Sequence, residues 1–208
     1  EPFYANFLDA TGFDHPGRAE TLASQEVDSA RVGRMLRGPA PGGSAVWYQK
    51  HMTHHLRPGV DLGWMQFVVP CFLIRRPDEM LASLHAKTPC PSLEDTGLPQ
   101  QVELFDAASA GGTPPVIDAR DVLEQPRDML AALCDVIGVP FEDSMLSWPS
   151  GPRASDGAWA PYWYDSVWRS TGFQPWTPKS TSLPDSMRPV LAACERSYDH
   201  LYRHRITV

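Results

Sequence analysis

The chain has 208 residues, a formal net charge of −7 and 42% hydrophobic residues. One α/β domain of this length buries a sizeable core, and the apolar fraction is ordinary for a globular protein. The negative charge argues against non-specific nucleic-acid binding, which needs a basic surface that displaces counterions. No apolar run reaches the roughly 20 residues that a membrane-spanning helix needs, so we expect no membrane partner.

Four cysteines are scattered along the chain without a CxxC pair. They are Cys71, Cys90, Cys134 and Cys194. Three of them lie in apolar surroundings, which predicts reduced core residues of a cytoplasmic protein rather than a disulfide or zinc framework. The chain begins at Glu1 without an initiator Met and without a signal peptide. We therefore interpret it as a fragment, a processed form or the ordered part of a longer protein.

Predicted strands alternate with predicted helices, which is typical of an α/β fold with a parallel sheet. The predicted elements, in chain order, are a helical stretch at 17–36, strands at 45–49 and 71–74, helices at 77–87 and 98–110, a strand at 115–118, and helices at 126–137, 162–170 and 184–204. The run at 67–74 is nearly continuous in apolar residues, which predicts a central strand buried on both faces. Residues 148–181 are rich in Trp, Tyr, Pro and Gly and predict mostly loop. Without internal repeats, the sequence predicts a single domain over residues 1–208.

The most informative segment follows the predicted strand 71–74. The strand delivers Arg75 at its carboxyl end, the edge where ligands bind in open α/β sheets. Pro77 suits the first turn of a helix, and Ser83 lies about two turns along it. A guanidinium with a hydroxyl nearby suits a phosphate. The alternative is that Arg75 pairs with a carboxylate at the edge of the core and Ser83 is a small packing residue.

Arg75, Pro77 and Ser83, with the serine eight residues after the arginine, resemble the 3′-phosphate-binding segment of sulfotransferases. Those enzymes use 3′-phosphoadenosine 5′-phosphosulfate (PAPS) as the sulfuryl donor. The segment departs from the family at Arg76, where a short polar residue is usual. The resemblance implies a P-loop-type parallel sheet flanked by helices, with Arg75 and Ser83 on the donor's 3′-phosphate.

The segment from Ser150 to Trp159 resembles the loop that closes over the 3′-phosphate in the same family. The resemblance assigns the Arg153 side chain and the backbone around Gly157 to the donor. Glycine permits close approach of the backbone, and consecutive N–H groups form an anion-binding concavity. The alternative is a surface loop whose Trp159 packs on the core.

Lys50 begins a histidine-rich string that ends at His55. Many sulfotransferases place a lysine and a histidine here, which implies that Lys50 neutralises charge on the donor's bridging oxygen and that a histidine removes the acceptor's proton. The usual base position, two residues after the lysine, is Met52, so His51, His54 and His55 are the candidates. The string resembles bacterial sulfotransferase-like proteins that are often labelled by similarity to aminotransferases, although no lysine motif supports a pyridoxal cofactor.

The histidines leave two other interpretations open. The spacing between His51 and His54 or His55 suits zinc, but no third ligand is evident and we expect no metal. The second interpretation is a structural histidine cluster.

Glu1 resembles a glutamate that acts as general base in some bacterial sulfotransferases. The alternative is that Glu1 is a solvated residue without a catalytic role.

No Gly-rich phosphate loop of the P-loop type occurs in the 208 residues. We therefore expect that the strand and loop for the 5′-phosphosulfate are missing from the chain.

The sequence thus predicts sulfuryl transfer from PAPS to a hydroxyl or amine of a small-molecule acceptor. Lys50 is the predicted charge-neutralising residue, and the predicted base is His54, His51 or Glu1. An aromatic set is expected to roof the acceptor site, or else to form a core patch. It comprises Trp159, Tyr162, Trp163 and Trp168. The alternatives are a non-catalytic module that binds a nucleotide or partner and a P-loop kinase-like phosphotransferase. Neither the acceptor nor the oligomeric state follows from the sequence.

Overall fold

The computed structural model describes residues 1–178 and 181–208. Its α-helices are α1 (Tyr4–Thr11), α2 (Arg18–Ser24), α3 (Ser29–Leu36), α4 (Pro77–His85), α5 (Leu98–Ala108), α6 (Ala119–Glu124), α7 (Pro126–Ile137), α8 (Ala160–Trp163), α9 (Asp165–Arg169) and α10 (Arg188–Tyr202). Its strands are β1 (Phe72–Ile74) and β2 (Val116–Asp118). A helix-rich chain with a small parallel sheet is compatible with the predicted α/β class.

The chain divides into two compact units. The first unit comprises Glu1–Val68 and Pro149–Thr171, and the second comprises Val69–Trp148 and Gly172–Val208. Each unit is described below by itself, and a single domain over residues 1–208 stays a prediction.

The first unit has an aromatic core beside α1. Tyr4, Leu8 and Trp159 form a buried cluster, and Phe7, Leu22, Trp163 and Tyr164 pack against it. Large aromatic side chains bury the most apolar area per residue, so this cluster supplies much of the unit's hydrophobic stabilisation. Because Trp159 comes from the segment Pro149–Thr171, the cluster fastens that segment to α1.

Two predicted elements of the first unit are wrong. The helical stretch 17–36 is two helices, because Gln25 is extended and Asp28 starts α3 by accepting the Ala30 N–H at 2.8 Å. The strand 45–49 is neither strand nor helix. Its Val46 and Tyr48 are 55% and 84% exposed, so they lack the cross-strand neighbours that stabilise a strand.

The second unit is built on the parallel pair of β1 and β2. Phe72 pairs with Val116 and Ile74 with Asp118. The predicted strands 71–74 and 115–118 are thereby confirmed to within one residue. The expectation that the first is buried on both faces is wrong, because Leu73 is 58% exposed while Phe72 and Ile74 are buried.

The helices that start at a proline are predicted best. α4 begins at Pro77, and α7 has the predicted bounds Pro126–Ile137, followed by Gly138 at φ +71°. The predicted helix 184–204 begins later, at Arg188, after a 3₁₀ turn. The predicted helix 162–170 is two short helices, α8 and α9, which are separated at Tyr164.

The aromatic-rich region 148–181 is largely loop, as predicted, and its residues 179 and 180 lie outside the described residues. All four cysteines are free thiols, but only Cys134 and Cys194 are buried, so the prediction of three core cysteines is wrong for one of them. In the described ranges, no helix is both long enough and apolar enough to cross a membrane.

Candidate functional site

Arg75 lies in the second unit, directly after β1. Its Nη2 and Nε lie 3.3 and 3.4 Å from Glu79 Oε2. Glu79 is 7% exposed, and its other oxygen accepts the Trp176 indole N–H at 3.3 Å. The pairing with a carboxylate at the core edge is the alternative that the sequence left open. It also orients a guanidinium that stays 38% exposed, so an anion could still reach Arg75.

Ser83 is an exposed residue of α4. The unusual Arg76 pairs with Asp78 through Nη2 at 2.9 Å and Nε at 3.1 Å. This hydrogen bond raises the pKa of Arg76 above its ordinary value. Arg76 therefore stays charged, and Asp78 already takes part of its hydrogen-bonding capacity.

A cavity of about 440 Å³ lies beside the carboxyl ends of the strands in the second unit. Its lining residues are Arg76, Asp118, Arg120, Asp121, Glu124, Tyr198 and Tyr202. Asp118 is 1% exposed, caps α6 through the Arg120 N–H and accepts the Tyr198 hydroxyl at 2.7 Å. Burial, and then the bond to Asp118, raise the pKa of Tyr198. The sequence analysis missed this group, although an aspartate at the end of a predicted strand is a signal for it.

In the first unit the structure brings two predicted catalytic residues together. Lys50 Nζ lies 2.7 Å from Glu1 Oε1, and the two side chains are 46% and 10% exposed. Burial lowers the pKa of Lys50, but the charge of Glu1 and the hydrogen bond to it outweigh burial, so the pKa lies above its ordinary value. Lys50 is therefore a cation at neutral pH, placed beside a nearly buried carboxylate.

The Lys50–Glu1 pair lines a second cavity, which has a volume of about 430 Å³ and which we call the unit-1 cavity. Its lining residues are Glu1, Ser24, Gln25, Lys50, Ser155, Asp156, Gly157, Ala158, Trp159 and Tyr164. Three predicted site residues, Glu1, Lys50 and Gly157, thus line the same cavity. Most of the side chains are polar, which suits a polar ligand more than a wholly apolar one.

Of the aromatic set expected over the acceptor, Trp159 lines the unit-1 cavity. The other three make contacts elsewhere within the first unit. Tyr162 packs on Gly17, Trp163 lies 5.6 Å from His15, and Trp168 donates its indole N–H to Asp156 at 2.8 Å. The alternative of an aromatic core patch holds for Trp159, which is in the buried cluster, and for Trp163, which packs against it, whereas Tyr162 is 50% exposed.

The loop that carries Arg153 and Gly157 is organised by Asp156. Asp156 Oδ2 accepts the Arg153 backbone N–H and the Trp168 indole N–H, each at 2.8 Å. These two bonds hold the pKa of Asp156 below its ordinary value. The backbone N–H of Arg153 is therefore already bonded to a carboxylate of the same loop. Gly157 packs so closely on Trp159 that a Cβ atom at this position would overlap the indole ring.

The histidines pack among aromatic rings. His51 stacks on Trp64 with ring centroids 4.8 Å apart, and burial lowers its pKa to about 4. His54 meets Phe7 edge-on at 5.5 Å, and His55 stacks on Tyr4 at 4.8 Å. This arrangement supports the structural-cluster interpretation. Within residues 1–178 and 181–208, no group of three or more His, Cys, Asp or Glu side chains is arranged to hold a metal ion.

Acid is expected to destabilise the protein through His55. Its side chain is 3% exposed, and burial lowers its pKa to about 2, so the folded protein keeps it neutral. Since the ordinary pKa is 6.5, the unfolded state binds one more proton as the pH falls below that value. The free energy of unfolding should therefore fall by about 1.4 kcal/mol per pH unit on account of this residue.

Urea unfolding at pH 7, 6 and 5 measures this slope. His55→Phe keeps an aromatic ring in the stack on Tyr4. Because the variant lacks the titrating imidazole, its free energy of unfolding should depend on pH less steeply, by the slope that one proton contributes. An unchanged slope in the variant would contradict the assignment to His55.

Comparison with known proteins shows which family the chain is similar to. A family model described as a sulfotransferase domain matches residues 1–203. No solved structure matches the chain.

Two curated relatives from Arabidopsis thaliana are similar to the chain. The protein named branched-chain-amino-acid aminotransferase-like protein 1 is 40% identical over 175 residues, which cover 83% of this chain and 31% of that protein. Branched-chain-amino-acid aminotransferase-like protein 2 is 34% identical over 206 residues, which cover 98% of this chain and 36% of that protein. The chain thus spans about a third of the length of these relatives. Because the family model extends over residues 1–203, the chain belongs to the sulfotransferase domain family.

Proposed function

We propose that the chain transfers a sulfuryl group from PAPS to a hydroxyl or amine of a small acceptor. The observation that carries this proposal is the Lys50–Glu1 pair on the wall of the unit-1 cavity, in a chain that matches the sulfotransferase domain. The acceptor atom bonds to sulfur, the bond from sulfur to the bridging oxygen breaks, and 3′-phosphoadenosine 5′-phosphate (PAP) leaves. The reaction therefore needs a cation for the leaving oxygen and a base for the acceptor's proton.

Lys50 is proposed to supply the cation. Its raised pKa keeps it charged at neutral pH. A fixed charge beside the oxygen on which charge develops stabilises the transition state more than the ground state. Lys50 lines the unit-1 cavity, so a ligand within that cavity can reach it.

Glu1 is proposed as the base in preference to His51 and His54. Its carboxylate lines the same cavity as Lys50. His51 is instead stacked on Trp64, with the ring centroids 4.8 Å apart. His54 is packed against Phe7 and His55.

The 3′-phosphate is proposed to bind Arg75 and Ser83 in the second unit. The donor-binding role of Arg153 and Gly157, which lie in the first unit, stays a prediction from the family resemblance. The half-exposed guanidinium of Arg75, which Glu79 orients, supports the first assignment. A forked guanidinium binds a phosphate through charge-assisted hydrogen bonds.

Titration calorimetry with PAP and with AMP tests the proposal, because the two nucleotides differ in the 3′-phosphate. Wild-type protein should bind PAP at least about 30-fold more tightly, since charge-assisted hydrogen bonds are each worth roughly 1.5–3 kcal/mol. Arg75→Ala should abolish the preference. Arg127→Ala, which removes an exposed arginine of the same unit, should preserve it. Equal affinities for the two nucleotides would favour a nucleotide-binding module, and binding of neither would refute the donor site.

A further inference from the structure

Two cations of the proposed function, Lys50 and Arg75, each lie beside a carboxylate of the chain. The pair in the first unit is the tighter, with 2.7 Å between Lys50 Nζ and Glu1 Oε1. It joins the two groups that would perform the chemistry. A base that is held by the catalytic cation cannot at the same time be an efficient proton acceptor.

We propose that the Lys50–Glu1 pair couples donor binding to activation of the base: the phosphosulfate of the donor takes Lys50 from Glu1 and so frees the carboxylate for the acceptor's proton. This inference rests on the proposed function and goes beyond it, because it predicts that the donor must bind before the acceptor can be deprotonated.

The geometry permits such an exchange. Lys50 is 46% exposed, so a ligand can approach the ammonium from its open side. An ammonium on a flexible four-carbon stem has three donors and reorients easily. The Tyr164 ring, with its centroid 5.7 Å from Lys50 Nζ, also faces the cation, so the ammonium has a second favourable contact besides the carboxylate.

The electrostatics give the exchange its direction. An ion pair with a half-exposed lysine is weak, so displacing it should cost only a factor of about two to five in donor affinity. Glu1 is 10% exposed, so its carboxylate has little water to replace the lost cation. Once the donor holds Lys50, the carboxylate is free to accept the acceptor's proton.

Every proton, bond and electron pair is accounted for in the coupled step. The acceptor's proton moves to a Glu1 oxygen as the acceptor atom bonds to sulfur. The bond from sulfur to the bridging oxygen breaks, and its electron pair stays on the 5′-phosphate of PAP beside Lys50. No oxidant, reductant or further reactant is needed.

A double-mutant cycle with PAP as the ligand tests the coupling. Glu1→Gln keeps the shape of the side chain and should tighten PAP binding about two- to fivefold, because PAP no longer competes with a carboxylate for Lys50. In a Lys50→Met background the same substitution should change PAP affinity by less than about 1.5-fold. Glu20→Gln, at an exposed carboxylate of α2, is the control for net charge and should leave affinity unchanged.

Glu1→Asp separates the ion pair from simple repulsion. It keeps the negative charge but shortens the side chain and loosens the 2.7 Å contact, so PAP should still bind more tightly than to wild type. The coupling is overturned if Glu1→Gln weakens PAP binding or leaves it unchanged, if it tightens binding equally in the Lys50→Met background, or if Glu1→Asp has no effect. A wild-type protein that prefers PAP to AMP but shows one of these results retains the proposed function and loses only the coupling. A wild-type protein that does not bind PAP refutes both.

Discussion

Replacing Lys50 with Met is expected to lower sulfuryl transfer by about 10²–10³-fold. The substitution keeps a long apolar stem and removes the charge that would stabilise the leaving oxygen. Transfer of ³⁵S from labelled PAPS to a panel of phenols, aliphatic alcohols and amines measures the effect. PAP affinity should fall by less than about tenfold, because this charge acts mainly in the transition state.

Lys87→Met is the charge-matched control. Lys87 lies just after α4, in the second unit, and its replacement should leave transfer within about twofold of wild type. Equal losses in both variants would show that net charge, rather than the position of Lys50, drives the effect. Unchanged transfer in Lys50→Met would contradict the proposed role.

Gly157→Ala is expected to destabilise the protein by about 2–3 kcal/mol. The backbone φ of Gly157 lies outside the left-handed region, so the residue is not needed for its conformation. The cost comes instead from overlap of the new Cβ with Trp159, which is 6% exposed and meets Tyr4 edge-on at 5.4 Å. Trp159 must move, and the loop that lines the unit-1 cavity must move with it, so PAP affinity should fall as well.

Urea unfolding followed by tryptophan fluorescence measures the loss. Gly33→Ala is the matched control in the same unit. Gly33 lies within α3, and a Cβ there would meet Trp64 at an ordinary contact distance of 3.5 Å. It should stabilise the protein by about 0.5–1 kcal/mol. Wild-type stability in Gly157→Ala would show that the ring and the loop relax without cost.

The sequence predicted the second unit better than the first, for a physical reason. Pro77 and Pro126 mark helix starts through their fixed φ, which acts locally, and Gly138 marks a helix end in the same way. The strand 45–49 had the right residue types but lacks partners, and partners are not encoded locally.

The site residues show the same difference between what local sequence predicts and what depends on distant partners. Glu1 and Lys50 were each predicted from family resemblance, but they are 49 positions apart and no local pattern predicts their ion pair. The hydrogen bond from the Arg153 backbone N–H to the Asp156 side chain was not predicted from the sequence. Gly157 was assigned to anion binding, while the structure adds a steric reason for it that depends on where Trp159 packs.

The carboxylate partners of Lys50, Arg75 and their neighbour Arg76 bear on how an anionic donor would arrive. Lys50, Arg75 and Arg76 are each neutralised at short range by Glu1, Glu79 and Asp78, in a chain with a net charge of −7. Long-range steering needs an uncompensated positive field, which these pairs cancel within a few ångströms. Capture of the donor would therefore gain no electrostatic steering, and the net negative charge would slow the encounter unless salt screens it. Discrimination for an anion would arise after contact, when each cation exchanges one negative partner for another.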